Sequence, residues 1–154
     1  PVIRIMPNTA GAGGEGVTMY CCSDNVTEAQ REGFVSLLHC SGLLEELDEK
    51  LMDVGSAVAG CGGAFACLFL EGLADGAVYA GLPRAKAQRY AAQMLLGMAK
   101  LALASDEHTG ALKDAVCSPG GTTIAGVRAL EERGFRAAAM NAVIAAYERT
   151  KELG

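Results

Sequence analysis

Tryptophan is absent from this sequence, and the remaining aromatics are only four tyrosines and four phenylalanines. A core made from such a chain rests on alanine, glycine, leucine and other small or aliphatic side chains, which let helices pack at short axial distances. Basic clusters are missing too: 13 lysines and arginines stand against 18 acids, the net charge is −5 and the cations are scattered. No positive field is available for nucleic acid or for an anionic lipid surface, so neither is expected as a partner. The six cysteines, Cys21, Cys22, Cys40, Cys61, Cys67 and Cys117, include no CxxC pair and no Cys/His group at zinc spacing. They read as free, buried thiols of a reducing cytosol rather than a disulfide or metal framework, and no metal site is expected. No signal peptide is visible, so the expected location is cytoplasmic. His39 and His108 lack a nucleophile or carboxylate at a telling spacing and read as structural. No nucleophile–base pair is legible anywhere.

What is present has the length of one ordinary domain, or a domain with a remnant of another, with a mean hydropathy of +0.23. Pro1 in place of an initiator methionine leads to the expectation that these residues belong to a longer chain. Residues 2–6 (VIRIM), 17–22 (VTMYCC) and 43–47 (LLEEL) are short β-branched or apolar runs and predict strands. Between the second and third, Thr27 caps a helix with Phe34, Leu37, Leu38 and Ser41 on one face. This front quarter is β-β-α-β, too small to be a stable unit alone, and resembles the tail of a larger sheet.

From Asp48 onward everything predicts helix. Asp48 is the expected N-cap of a single long helix running to about Ala80, where Gly81-Leu82-Pro83 stops it. Its middle, 54–70, is an uncharged run of 17 residues that invites a membrane reading. Five of those residues are glycine or serine, and Asp53, Glu71 and Asp75 flank the run where a spanning helix would carry lysine, arginine or aromatics. Burial among other helices is the better account, and no membrane is expected. Further helices are predicted from Pro83 to about Ser105, over 109–116, from Thr122 to near Gly134, and over 135–153. The small faces at Gly72 and Gly76 allow a second helix to approach, and a helix this long and apolar asks for more cover than one chain supplies. Homodimerisation is the expectation.

Two motifs remain. Gly11, Gly13 and Gly16 satisfy GxGxxG, but the dinucleotide fingerprint must follow a strand and open a helix, whereas here a strand comes next, so a flexible strand-to-strand connection is expected. Ser118-Pro119-Gly120-Gly121-Thr122-Thr123 places consecutive N–H groups and hydroxyls just before a helix start, where an anion could dock. With no lysine following, a carboxylate fits better than a nucleotide phosphate. By pattern alone an inter-helix turn with threonine capping accounts for the same residues equally well. Lys113 and Asp114, adjacent in sequence, read as a cap or a salt bridge.

The strings MPNT (6–9), EGVT (15–18), EKLMD (49–53), GLADG (72–76), GLPR (81–84), LKD (112–114), SPGGTTIAG (118–126), ALEERGFR (129–136) and the ending YERTKELG occur in the order seen in pyrroline-5-carboxylate reductases. The chain resembles that family over nearly its whole length. The resemblance implies an all-helical, interlocked dimerisation and substrate-binding domain over 48–154, preceded at 1–47 by the last strands of a Rossmann domain. It implies NADPH or NADH as cofactor, a homodimer as the assembly, and reduction of the cyclic imine 1-pyrroline-5-carboxylate to L-proline. Ser118, Gly120, Gly121 and Thr122 would then hold the substrate carboxylate, Thr123 would hydrogen-bond the ring nitrogen, and Asn8 would sit at the nicotinamide end of the cofactor.

Three departures bear on the site. Where the family usually reads SGSGPAY, residues 59–65 read AGCGGAF. Ala10 replaces a proline after MPNT, and Thr109 replaces the proline of the usual HP. These affect how the long helix starts or kinks and leave the carboxylate loop intact. The family's dinucleotide fingerprint does not occur in these residues, so the chain alone is expected to be inactive. A catalytically silent helical homodimerisation module, or a reductase of a related imine or oxo acid, are the alternative readings.

Overall fold

In a computed structural model describing residues 1–153, the first fifty residues build a three-stranded sheet with strand order β1-β2-β3. Strand β1 (Ile3–Pro7) runs antiparallel to β2 (Gly16–Cys22), with Ile5 opposite Tyr20, and β3 (Gly42–Glu46) runs parallel to β2, with Thr18 opposite Leu44. The central strand carries the buried residues Thr18, Met19 and Tyr20. The connection from β1 to β2 is an ordered 3-10 turn, Thr9–Gly13, closed by Gly14 at φ 75°. Its glycines serve close backbone packing: a Cβ on Gly16 would lie 2.6 Å from Gly11 Cα, and one on Gly42 would lie 2.2 Å from Gly16 O. The GxGxxG string is thus a packed turn feeding a strand, more rigid than the expected flexible loop and unlike a dinucleotide fingerprint.

Parallel pairing of β2 and β3 requires a crossover, which helix α1 (Glu28–Leu38) provides. A capping box starts it: the Gln30 N–H donates to Thr27 Oγ1 at 3.4 Å, and the Thr27 N–H donates to Gln30 Oε1 at 3.0 Å. Arg31 bridges Glu28 and Glu46, both at 2.6 Å, and so ties the helix to β3, while Phe34 meets Tyr20 edge-on at 5.0 Å. Leu37, expected on the same face, is exposed because the narrow sheet covers only part of the helix. Thr27→Ala removes one capping acceptor and should cost about 1 kcal/mol, read as a lower denaturant midpoint at unchanged slope.

The single helix expected from Asp48 to Ala80 is several pieces. Asp48 precedes a 3-10 turn, Glu49–Leu51, and makes no capping hydrogen bond, its carboxylate pairing instead with Lys50 at 2.9 Å. Helix α2 (Met52–Ala59) follows, and α3 (Gly62–Tyr79) starts after a break at Gly60 and Cys61. There the N–H groups of Gly60 and Cys61 both donate to Ser56 O, at 2.8 and 3.0 Å, and the Ala64 N–H donates to Cys61 O at 3.0 Å. A five-residue turn is inserted in the helical ladder. Three glycines among residues 60–63 weaken helix continuity, and a Cβ on Gly60 would come within 2.8 Å of Ser56 O. Helix α2 lies tight on the sheet: Met52 and Ala57 are fully buried, and a Cβ on Gly55 would meet Met19 Sδ at 2.4 Å.

The remaining helices follow the sequence reading to within a residue or two: α4 (Arg84–Ala104), α5 (Thr109–Ala115), α6 (Thr122–Glu132) and α7 (Phe135–Leu153). Gly81 at φ 100° and Pro83 make the stop after α3, and an Arg84–Asp75 ion pair spans that corner. Gly134 at φ 70° separates α6 from α7, and Phe135 packs on Phe69 at 5.3 Å. The chain divides into two compact units, Pro1–Phe65 with the segment from Met140 onward, and Ala66–Ala139. In the first, the core is Met19, Tyr20, Met52 and Ala57; in the second, the buried residues among those described are Ala74, Ala87 and Ala91. None of the six cysteines is buried within the chain, and all are free thiols. For Cys67 the expected burial fails because α3, rich in small residues, has Ala74 as its one buried residue among those described. By length and composition Glu49–Tyr79 could cross a membrane, and only 11% of its most apolar window is buried within the chain.

Candidate functional site

The Ser118–Thr123 loop starts where α5 ends. The Val116 and Cys117 N–H groups close α5 onto the Lys113 and Asp114 carbonyls, at 3.2 and 2.9 Å. Ser118-Pro119-Gly120-Gly121 then forms a turn in which the Gly121 N–H donates to Ser118 O at 3.0 Å. Proline at the second position and Gly120 at φ 69° in the third match a type II turn. Gly121 is the N-cap of α6 in an extended conformation with no side chain to cap with, and a Cβ there would sit 2.3 Å from Ser118 Oγ. The two glycines serve different ends: Gly120 takes a backbone angle that favours glycine, and Gly121 leaves room for the Ser118 side chain.

An uncapped helix start leaves its first N–H groups without intrahelical acceptors. The Ala125 N–H returns to Gly121 O at 3.3 Å, so the orphan donors are those of Thr122, Thr123 and Ile124. Thr122 does not cap its own helix, which removes the threonine-capping account of the loop. Ser118, Thr122 and Thr123 are exposed. An uncapped helix start with exposed hydroxyls beside it is a chemistry that can accept an anion through neutral donors. Nearby, Lys113 pairs with Asp114, and that hydrogen bond holds its ammonium above the usual lysine range. Of the two expected roles, a cap or a salt bridge, the structure shows the salt bridge. His108 caps α5, its Nδ1 accepting the Gly110 N–H at 3.0 Å, and His39 Nδ1 lies 2.7 Å from Ser36 O, so both histidines have structural partners.

Asn8 lies in the other unit, at the end of β1. Its Nδ2 donates to Ala59 O at 3.0 Å and its Oδ1 accepts the Val17 N–H at 3.1 Å. An open cavity of about 540 Å³ lies beside it, lined by Ile5, Pro7, Thr9, Thr18 and Ser41 among others. Five of the six expected site residues therefore share one short segment of the second unit, and the sixth, in the first unit, has its amide engaged by backbone. Sequence reasoning did not find the contact between Asn8 and Ala59, because its partner is a main-chain carbonyl 51 residues away. The glycine cluster at 60–63 was the available signal. Among the described residues no group of three or more histidines, cysteines or acids could hold a metal ion.

The chain is mainly helical, with a small three-stranded sheet preceding the helices and an uncapped turn before α6. The family model for pyrroline-5-carboxylate reductase dimerisation matches residues 49–153, and the chain belongs to that family. The pyrroline-5-carboxylate reductase of Synechocystis sp. is 47% identical over 153 residues, covering 99% of this chain and 57% of that protein. The Escherichia coli K12 pyrroline-5-carboxylate reductase is 42% identical over 152 residues, 99% of this chain and 56% of that protein. The crystal structure of Plasmodium falciparum pyrroline carboxylate reductase with NADP bound superposes with a TM-score of 0.92 at 36% identity, covering 100% of this chain and 63% of that one. The chain thus spans less than two thirds of each.

Proposed function

We propose that this chain is the dimerisation and substrate-loop part of an NAD(P)H-dependent reductase that converts 1-pyrroline-5-carboxylate to L-proline in the cytoplasm. The observation that carries the reading is the Ser118–Thr123 turn, whose uncapped N–H groups and free hydroxyls suit a carboxylate on a small ring. In this reading Ser118, Gly120, Gly121 and Thr122 hold the carboxylate, which orients the ring. Thr123 Oγ1 then hydrogen-bonds the ring nitrogen, whose electron pair grows as the C=N bond is reduced. Residues 1–47 finish the dinucleotide-binding sheet, residues 48–154 form the dimerisation domain, and Asn8 opens the turn at the nicotinamide end.

The residues present do not fit the pyrophosphate of a dinucleotide: the space at Gly11, Gly16 and Gly42 is filled by their own backbones, and a strand follows. When bound, the nicotinamide supplies the hydride; this chain's share is to bind and orient the imine and to exclude water around it. The exposed apolar faces of the helices support a homodimer. The second unit buries only alanines, while Leu68 on α3 is 71% exposed and Leu103 on α4 is 85% exposed. Cover from a second copy explains the apolar Glu49–Tyr79 run without a membrane.

The test is an NADPH oxidation assay on pyrroline-5-carboxylate with these residues joined to a family dinucleotide-binding half; proline formation is expected. The 154 residues alone should oxidise NADPH only at the background rate, and turnover by them would overturn the assignment of residues 1–47.

A further inference from the structure

We infer that Asn8 is a positioning residue that acts through the helix break at Gly60 and Cys61, rather than a side chain that touches the cofactor. The inference rests on the reductase reading only for its effect on turnover; the tie itself is a property of this chain.

The break has a hydrogen-bonding problem that Asn8 solves. A helix end leaves its last carbonyls without donors, and the inserted turn makes this worse, because the Cys61 N–H goes to Ser56 O and not to Ala57 O. Ala59, the last residue of α2, directs its carbonyl to Asn8 Nδ2 at 3.0 Å. The other end of the same planar amide accepts the Val17 N–H at the start of β2, at 3.1 Å. Asn8 also holds its own turn, its backbone carbonyl accepting the Gly11 N–H at 3.2 Å. One side chain therefore fixes the end of β1, the start of β2 and the end of α2. Turning that amide toward a ligand would break both backbone bonds at once, in a partly buried place where each lost bond leaves an unsatisfied group.

Other contacts hold α2 and the turn before it toward their start, which leaves the end of α2 to Asn8. Gly55 lets α2 sit against Met19, and Arg4 on β1 reaches Glu49 at 3.1 Å and Asp53 at 3.8 Å. Without the Asn8 bond, the Ala59 carbonyl at the break would lose the side-chain donor that ties it to the start of β2. The turn at residues 8–14 and the break at residues 60–61 thus keep a fixed spacing, and in the complete enzyme that spacing is what Asn8 supplies to the reacting groups.

Asn8→Asp tests this, because it keeps the shape and the Oδ1 acceptor but sets a carboxylate oxygen against Ala59 O. Maleimide labelling of each cysteine, followed by mass spectrometry, reads the break through Cys61 and the sheet through Cys21 and Cys22. Cys61 labelling should quicken about tenfold, the size of one lost net hydrogen bond expressed as local opening, with Cys21 and Cys22 unchanged. Unchanged Cys61 labelling overturns the inference. So does a uniform rise at all cysteines, since Asn8 would then hold the whole sheet and not the break. In the complete enzyme, Asn8→Asp should lower kcat with the NADPH dissociation constant unchanged, and Asn8→Gln should not restore it because the longer side chain misplaces the donor. A raised NADPH dissociation constant with normal Cys61 labelling would make Asn8 a cofactor contact and overturn the inference. If the unaltered complete enzyme reduces no imine, the reductase reading fails, while the thiol rates still decide the tie.

Discussion

Thr123→Val, placed in the complete reductase, should lower kcat/KM for pyrroline-5-carboxylate about a hundredfold, the loss typical of removing one preorganised donor from a developing charge. Valine keeps the volume and the branching of threonine and removes only the hydroxyl. Thr123 is the second residue of α6, makes no capping bond and is exposed in this chain, so its loss leaves the fold without a missing partner. The helix start offers a carboxylate about 0.3 to 1 kcal/mol when exposed and up to about 2 when partly buried, a modest hold by itself. In the proposed site the hydroxyl would matter more, because it would face the nitrogen whose charge changes during reduction, and an interaction that strengthens in the transition state raises kcat. NADPH affinity and the sedimentation coefficient should stay as in the parent. A variant that reduces the imine at the parent's rate would leave Thr123 as an ordinary first-turn residue and remove the site assignment.

Much of this architecture was legible because it is written in local chemistry. Thr27 was legible as a helix cap, residues 118–121 as a turn, and Gly81 and Pro83 as a stop, and each of these depends on residues a few positions apart; the structure adds Gln30 as the second half of a capping box. The helices α4 to α7 were found for the same reason. The break in the long helix was only half visible. Three glycines at 60–63 lower helix propensity, but propensity is a weak prior, and what fixes the break is the sheet beneath α2 and a hydrogen bond from Asn8. The cysteines were misjudged for a related reason: apolar neighbours in sequence imply burial only if something packs on them. Cys67 on α3 is exposed in the single chain. In the candidate site, the turn before α6 was readable from its own residues, whereas the two backbone partners of the Asn8 amide were not, because main-chain groups leave no mark in a sequence.

Gly76→Leu should convert the protein from a dimer at micromolar concentration to a monomer that unfolds or aggregates, read by sedimentation velocity and by loss of the cooperative thermal transition. The argument turns on what the substitution does not do within one chain. A Cβ at Gly76 or at Gly72 meets nothing within 4 Å, so a leucine there finds open space. Leucine is also the better helix former, and replacing glycine in the interior of α3 should favour the helix by roughly 0.5 to 1 kcal/mol. In an isolated chain the variant would therefore be neutral or slightly stabilising. Any loss must come from a partner surface that sits where the side chain would go. That surface is expected because α3 has Ala74 as its only buried residue and keeps Tyr79 96% exposed, a pattern that costs far too much apolar area to leave in water. A stable interface of this kind buries on the order of 2,000 Å² or more, and a bulky side chain at a close helix crossing forces the two helices apart along its whole length. A Gly76→Leu protein that stays dimeric would place the crossing elsewhere on α3 or on another helix. A parent chain that sediments as a folded monomer would remove the dimer altogether.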